Sequence, residues 1–450
     1  MKRSWLIVLI LMEWIFSGNS PRAQESEPLK LHNPVTKEWL KAKLSQESPK
    51  MILTPEVEQR IREAIASNNP LVTAYYNMMV ANADNIVDRE PLERKLTGRR
   101  LLSVSREAVA RISTLAMVYR FEKKVRYLER LEEELDAVCN FTDWNPSHFL
   151  DVGEMSLAVA LGIDWCGEWL SSETLTNARH ALKEKAILVS INDEDYNWWI
   201  NAKHNWNQVC HTGVSAAALI FADEEPELAA EIISRAIDKL PLAMESYSPD
   251  GAYPEGPSYW DYGTSYNLVA ISMFESALGT DFGMSEYPGF IESGLYRQIV
   301  IAPSGSIFNY SDAGDPGRME LGTHGNLAWF AQKTGDGIFL NREDFLQRIT
   351  DDPGTGKRYP RLSGAILVWL SQYEEKKCSE LPVYWKADGW NPIAVMGSEP
   401  GEDHGFYLAV KGGSATVNHS NLDAGSFIFE LDGVRWSVDP GNQGYYELEQ

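Results

Sequence analysis

Apolar residues recur every three or four positions from about residue 52 to residue 375, and this spacing predicts one helix after another. The polar stretch 103–107 is typical of a helix cap. The predicted helices span residues 108–121, 125–138, 155–170, 174–188, 213–222, 225–244, 266–278 and 362–373. Because short loops join consecutive helices, we expect stacked helical hairpins that close into an (α/α) toroid rather than a four-helix bundle.

The pattern changes near residue 380, where short β-branched and aromatic runs alternate with Gly, Asp and Asn. Such runs predict about five antiparallel strands, with a hairpin at Asp432-Gly433. Because so few strands are thin for a sandwich and an aromatic-rich segment reaches Gln450, we expect a truncated sheet domain. The expected fold is α+β and multidomain: a toroid over 24–375, followed by an antiparallel β-sheet domain over 376–450.

The first residues have the pattern of a targeting segment. Lys2 and Arg3 precede a short apolar run, and small or polar residues follow up to Ala23. This arrangement is typical of a cleavable signal peptide over 1–23. No later segment approaches the apolar length of a transmembrane helix. We therefore expect a periplasmic or secreted protein with no transmembrane segment.

The chain is acidic, with 64 Asp and Glu against 41 Lys and Arg and a formal net charge of −23 over 450 residues. An acidic surface repels phosphate, and no Lys/Arg block offsets it, so a generic nucleic-acid binder is excluded. The 15 Trp suit either a carbohydrate cleft or a large core. Four widely spaced cysteines without a C-x-x-C pair read as structural thiols: Cys139, Cys166, Cys210 and Cys378.

Three polar segments are candidates for chemistry. Segment 196–211 concentrates amides, imidazoles and indoles before a helix; its Asn side chains either cap that helix or bind a carboxylate. Segment 248–266 holds four tyrosines, which either pack or act as general acids and bases. In segment 417–427, His419, Asn421 and Asp423 alternate, so on a strand they would share one face. Asp439 from the next strand would complete either a metal site or an oriented acid–base His.

Four motifs in this order resemble the heparinase II/III-like polysaccharide lyases, and especially the heparinase II type. They lie at residues 143–151, 205–209, 250–260 and 411–427, so the resemblance runs from about residue 100 to the end. The first motif contains Trp144, Asn145 and His148. The resemblance implies an (α/α) toroid joined to C-terminal β-sheet domains.

The resemblance also implies β-elimination on a uronic acid within a glycosaminoglycan, such as heparin or heparan sulfate, or a related uronan. Tyr259 matches the family's catalytic Tyr and His419 its strand His, while the group that neutralises the substrate carboxylate falls on Asn205 or its neighbour His204. Glu255 either orients Tyr259 or holds the turn. The residues that we expect to bind the anionic polysaccharide are Asn207, Trp144, Asn145, His148, Glu255, Arg106 and Arg435. We expect Arg106 and Arg435 to be basic residues of a local cleft, with surface ion pairing as the alternative.

The heparinase II type holds a structural zinc through two His and an Asp. Asp439 matches that Asp, but Asn421 stands at the first His position and is a much poorer zinc ligand. The chemistry itself requires no cofactor. The sequence does not decide between a monomer and a homodimer. The negative net charge favours a polysaccharide substrate with little sulfate.

Two alternatives belong to other classes. A toroid glycoside hydrolase would use paired carboxylates among Asp250, Glu255 and Asp261, and would yield saturated products. A non-catalytic glycan-binding protein would use the aromatic residues to bind and would release no product.

Overall fold

A computed structural model describes residues 28–192, 194–314, 320–351, 360–398 and 405–442. The predicted signal peptide 1–23 lies outside them. The α-helices are α1 Lys37–Lys43, α2 Pro55–Ala66, α3 Pro70–Val87, α4 Leu102–Glu122, α5 Val125–Cys139, α6 Leu150–Cys166, α7 Ser172–Leu182, α8 Val189–Asn192, α9 Asn205–Ile220, α10 Pro226–Lys239, α11 Pro241–Met244, α12 Pro257–Leu278, α13 Glu292–Ile299, α14 Leu321–Thr334, α15 Arg342–Asp351 and α16 Ser363–Gln372.

Six of these helices contact one another in a cycle. Helix α4 packs on α6, α6 on α9, α9 on α12, α12 on α14, α14 on α16, and α16 back on α4. Along the chain, α5 follows α4, α7 follows α6 and α10 follows α9. Each of these three helices packs on the cycle helix that precedes it. We call the six helices of this cycle the inner helices. One of them, α6, is buried along its whole length and is apolar nearly all round. The predicted succession of helices is confirmed.

The polar groups at the N-terminal ends of the inner helices lie close together. Arg106 near the start of α4 contacts Glu154 near the start of α6, and Tyr262 in the second turn of α12 contacts the same carboxylate. Asn205, the first residue of α9, contacts Glu255 just before α12. These inner helices therefore run in the same direction, and their first turns share one end of the cycle.

Five strands form one antiparallel sheet in the order β1-β2-β3-β4-β5. They are β1 Tyr384–Ala387, β2 Ile393–Gly397, β3 Phe406–Lys411, β4 Phe427–Leu431 and β5 Val434–Ser437. Asp432 and Gly433 both have positive φ, of 53° and 73°, as a two-residue hairpin between twisted strands requires. The predicted helices followed by an antiparallel sheet, and the predicted hairpin, are confirmed. The boundary at residue 375 stays a prediction, between the end of α16 at Gln372 and the start of β1 at Tyr384.

The sheet packs on the segment that follows α13. The Tyr407 hydroxyl donates to the Ile299 carbonyl at 2.8 Å, and the Ser304 hydroxyl donates to the Glu430 carboxylate at 2.7 Å. The Asn391 amide reaches back to the Pro254 carbonyl at 2.7 Å. These contacts join β3 and β4 to the end of α13 and the segment after it, and the loop before β2 to the turn before α12.

Four predicted helix starts were wrong by five residues or more, among them that of α6, which begins at Leu150 rather than near residue 155. Helix α4 begins at Leu102, so the expected cap at 103–107 lies inside it, α9 begins at Asn205 rather than near residue 213, and α12 begins at Pro257 rather than near residue 266. The first turns of α9 and α12 are rich in polar and tyrosine residues, so the apolar spacing did not extend to them, although Asn205, Asn207 and Gln208 are buried.

Two further expectations concern cysteines and membranes. Cys139, Cys166 and Cys210 are buried, as expected of structural thiols, whereas Cys378 is exposed beyond the last helix.

Within the described ranges, the helices lack the combination of length and apolarity that crossing a bilayer would need.

Candidate active site

Three separate segments meet at the shared end of the inner helices: the start of α9, the start of α12 with the turn before it, and residues 412–426 between β3 and β4. The rings of Tyr259 and His419 stack face to face, with centroids 3.8 Å apart and planes inclined by 15°. Gly256 makes the turn into α12 at a φ of +87°, where a Cβ atom would lie 2.6 Å from the Tyr310 carbonyl oxygen. The turn therefore depends on glycine, and it places Glu255 and Tyr259 on the same site.

Residues 412–426 do not form a strand. They are turns and bends, and His419 itself has a φ of +55°, so the expected sharing of one strand face by His419, Asn421 and Asp423 was wrong. The segment is instead anchored to residue 311. The Asp423 carboxylate accepts the Ser311 N–H at 2.8 Å, and the Asn421 amide donates to the Ser311 carbonyl at 3.1 Å. These anchors hold His419 over Tyr259.

Asp312 orients the imidazole of His419. Its Oδ2 lies 2.8 Å from Nδ1 of His419, while Nε2 lies 4.0 Å from Oε2 of Glu255. A carboxylate at Nδ1 favours the tautomer that carries the proton there, which leaves the Nε2 lone pair as a base. Sequence reasoning missed Asp312, because no spacing rule connects it to a histidine 107 residues later.

Glu255 is a buried carboxyl without a cationic arginine or lysine partner among the described residues. It is 1% exposed, and the Asn205 amide donates to its Oε2 at 3.4 Å. Burial raises its pKa to about 8; hydrogen bonds from Asn418 and Asn205 oppose this rise, and the nearby charge of Asp312 adds to it. Glu255 therefore carries a proton over most of the neutral range.

His204 is held in its neutral form. Burial, together with a smaller effect of the nearby His419, lowers its pKa to about 4. Its Nδ1 is buried and has no hydrogen-bond partner among the described residues. Asn205, His204 and Glu255 thus surround the Tyr259–His419 pair with neutral hydrogen-bonding groups, which suits a site that receives a carboxylate.

An aromatic surface borders the site on the α9 side. Trp198 is 51% exposed, its ring lies 4.5 Å from that of Trp206 and 6.0 Å from that of His204. Behind Trp206 stands His148, with ring centroids 4.7 Å apart, and the Nδ1 of His148 lies 2.8 Å from Oδ1 of Asp151. His148 therefore supports the aromatic surface from beneath, and Trp198 presents an open ring to solvent.

Two predicted binding residues are fully buried and donate to backbone carbonyls in the helical core. Trp144 is fully buried and donates its indole N–H to the Val138 carbonyl at 2.9 Å. Asn207 is also fully buried, and its amide donates to the carbonyls of Ile200 and Lys239. Both residues stabilise the helical array, since a large indole and a satisfied amide are ordinary core constituents there.

Two more predicted binding residues have structural partners. Asn145 adopts a left-handed conformation, and its amide donates to the Arg99 carbonyl and to Asp151 at 2.9 and 2.6 Å. Arg435 donates to Glu430 at 2.8 Å and to the carbonyls of residues 306 and 307 at 3.0 Å. Through these contacts, Arg435 joins β5 to residues 306 and 307. Arg106, by contrast, contacts a buried carboxylate beside α12.

The predicted zinc ligands do not fit a metal. The Asn421 amide is committed to the Ser311 carbonyl, and the Asp439 carboxylate accepts from the Ser426 hydroxyl at 2.7 Å and the Gly441 N–H at 2.9 Å. Within the ranges that the structure describes, no three His, Cys, Asp or Glu side chains cluster as metal ligands would.

The carboxylates proposed for a glycoside hydrolase point to different partners. Asp250 accepts the Asp388 N–H at 2.6 Å, and Asp261 pairs with Arg297 at 3.1 Å. The carboxyl groups that do approach each other, those of Glu255 and Asp312, have the ring of His419 between them. They do not flank an open space in which a glycosidic bond would fit.

Comparison with known proteins gives limited likeness. No family model matches the chain, and the search of curated proteins found no match. Among solved structures, an alginate lyase from Bacteroides ovatus has 13% identity and a TM-score of 0.48, over 72% of this chain and 99% of that one. A heparinase III has 14% identity and a TM-score of 0.45, over 79% of this chain and 54% of that one. With TM-scores below 0.5, neither likeness bears on the role of a residue here.

Proposed function

We propose that this protein is a polysaccharide lyase that cleaves uronic-acid-containing chains by β-elimination, and that its cycle of helices is an (α/α) toroid. One observation carries the proposal: Tyr259 and His419, 160 residues apart, stack at 3.8 Å. The Asp312 carboxylate orients His419, and the other neighbours, Asn205, His204 and Glu255, are neutral. A pair of proton-transfer groups beside a place for a carboxylate is what elimination on a uronate needs.

The first requirement is to make the C5 proton acidic. The carboxylate beside C5 opposes removal of that proton until its charge is offset, because the developing charge spreads onto the carboxyl oxygens. Asn205 and His204 supply neutral N–H donors. Glu255, which is 1% exposed, carries a proton at neutral pH, so it adds no negative charge beside the substrate carboxylate.

The second requirement is two proton transfers. A base takes the C5 proton, the C5–H electron pair forms the C4=C5 double bond, the C4–O4 bond breaks, and O4 receives a proton. Tyr259 and His419 share these transfers, and the stereochemistry at C5 decides which one removes the proton. Asp312 stabilises the imidazolium form of His419 during the transfer.

Trp198 supplies the surface for a neighbouring sugar. Its exposed ring lies beside His204, and an aromatic face packs on the C–H groups of a pyranose. Export, weak sulfation of the substrate and a homodimer remain proposals beside this one.

The test is the ultraviolet absorbance of the unsaturated uronate product, measured on heparan sulfate, heparin, chondroitin, hyaluronan, alginate and glucuronan. We expect a rise on at least one polymer, and a loss of about a hundredfold or more in Tyr259→Phe, which removes only the hydroxyl. Tyr384→Phe is the matched control, because that tyrosine is 54% exposed on β1. Saturated oligosaccharide products would support a hydrolase instead, and binding without any product would support a glycan-binding module.

A further inference from the structure

A second cluster of charged groups lies one helical turn along α12 from Tyr259. Its centre is Glu154 on α6, which is fully buried. Oε1 of Glu154 accepts from Nε of Arg106 at 3.3 Å, from Nη1 of Arg361 at 2.6 Å and from the Tyr262 hydroxyl at 3.0 Å. Oε2 accepts from the Tyr266 hydroxyl. Four donors thus converge on one carboxylate.

The cluster has a formal surplus of positive charge. Two guanidinium groups face one carboxylate, and burial raises the pKa values of Tyr262 and Tyr266, so both phenols stay neutral. Among the described residues, neither Arg106 nor Arg361 pairs with a second carboxylate. The surplus is unusual in a chain with a formal charge of −23.

The surplus charge is accessible. The side chains of Arg106 and Arg361 are 38% and 27% exposed, although their carboxylate partner is fully buried. Both guanidinium groups lie over the Tyr262 ring, at 4.4 and 4.8 Å from its centroid. Each arginine uses one nitrogen on Glu154, and Arg106 also interacts with the Tyr262 hydroxyl. Because a guanidinium carries five N–H donors, both side chains have further donors for a ligand.

The position relates the cluster to the catalytic pair. Tyr262 follows Tyr259 by three residues on α12, so the two side chains lie on the same face, about 4.5 Å apart along the axis. That separation is of the order of a single sugar ring. A polysaccharide whose reacting uronate contacts Tyr259 would therefore place the neighbouring sugar over Tyr262, Arg106 and Arg361.

We propose that Arg106 and Arg361 form an anion subsite that binds the charged group of the sugar next to the one on which Tyr259 acts. This inference rests on the proposed function and deepens it, because it selects substrates with negative charge on the adjacent residue. A planar guanidinium pair suits a carboxylate, as in a polyuronate, and also a sulfate, as on a sulfated amino sugar. Glu154 is a positioning residue that holds both arginines in place.

The experiment compares Arg106→Gln and Arg361→Gln with Arg60→Gln, which removes the same charge from an exposed surface pair. Steady-state kinetics are measured on alginate and glucuronan, where uronates are consecutive, on hyaluronan, where the neighbouring sugar is neutral, and on heparin, where it is sulfated. We expect KM to rise at least about tenfold on substrates with a charged neighbour, with kcat little changed. On hyaluronan the KM should not change.

Each outcome either identifies the charged group that the subsite binds or overturns the subsite. A rise confined to alginate or glucuronan identifies a carboxylate, and one confined to heparin identifies a sulfate. An unchanged KM on every cleaved substrate, or a fall in kcat alone, would overturn the subsite while leaving the lyase intact. Arg106→Lys and Arg361→Lys guard against misfolding, because they keep the charge and should recover part of the affinity.

A binding measurement separates this inference from the proposed function. Calorimetric titration of Tyr259→Phe with uronate tetrasaccharides and with a sulfated heparin tetrasaccharide does not depend on turnover. If no polymer is cleaved, the lyase proposal fails. An affinity that falls about tenfold when Arg106→Gln is added would still support the subsite, and an unchanged affinity for every tetrasaccharide would overturn it.

Discussion

Glu154 and Glu255 are both buried carboxyls at the shared end of the inner helices, yet their surroundings are opposite. Glu154 receives two guanidinium groups and two tyrosine hydroxyls. Glu255 receives two amides and lies near a second carboxylate, and its pKa rises to about 8. Burial without a neighbouring cation favours the protonated form of a carboxyl, whereas adjacent guanidinium groups turn a buried carboxylate into a scaffold for positive charge. One region is suited to moving protons, and the other to binding an anion.

The largest expected effect is on the proton-transfer region. Asp312→Asn should lower kcat about a hundredfold and leave KM within a few fold, because the amide favours neither the required tautomer of His419 nor its imidazolium form. The measurement is the initial rate of ultraviolet absorbance on the best substrate. Asp388→Asn, at an exposed carboxylate on the sheet, is the control. A normal kcat in Asp312→Asn would remove the oriented His419 from the mechanism.

The second-largest expected effect is on stability, and it compares the substitution of glutamine for Glu154 and for Glu255. Glu154→Gln should reduce the free energy of unfolding by about 2–4 kcal/mol, since it leaves two guanidinium groups without their carboxylate, and partial exposure of the arginines limits the loss. Glu255→Gln should cost less than about 1 kcal/mol near neutral pH, because glutamine resembles a protonated glutamate in shape. Urea unfolding of both variants measures the difference, and equal losses would contradict the comparison.

The pH dependence sharpens the contrast. Because the folded-state pKa of Glu255 is raised from 4.5 to about 8, the folded protein binds more protons than the unfolded chain between those values. Its contribution to stability is complete below the unfolded pKa and is lost as pH rises through the folded pKa. The wild-type melting temperature should therefore decline from about pH 5 to pH 8 relative to that of Glu255→Gln. A constant difference across this range would show that Glu255 is already ionised.

The smallest expected effect is at the aromatic surface. Trp198→Ala should raise KM by roughly three- to tenfold with kcat unchanged, because it removes one stacking face and none of the groups that move protons. Trp436→Ala is the matched control, since that indole is also exposed, at 69%, on β5. A loss of kcat in Trp198→Ala would mean that the ring positions His204 rather than a sugar.

Sequence reasoning found the elements of the site better than their geometry. Tyr259, His419, Asn205 and His204 were all candidates, and the structure brings them together. Their local structure was mispredicted, because α9 and α12 begin with polar residues and because His419 lies in a turn held by tertiary contacts. Asp312 and Arg361 were missed, since their importance comes only from what lies next to them in space.

Apolar spacing and turn chemistry act over a few residues, so the amino-acid sequence predicted the succession of helices, the antiparallel sheet and the hairpin at Asp432-Gly433. Tertiary contacts decide which of the candidate residues lie at the site and which lie in the core. Trp144 and Asn207 are buried constituents, whereas Arg106 joins Arg361 over Tyr262. The physical reason is that burial, proton affinity and charge balance depend on neighbours from distant parts of the chain, which local patterns do not encode.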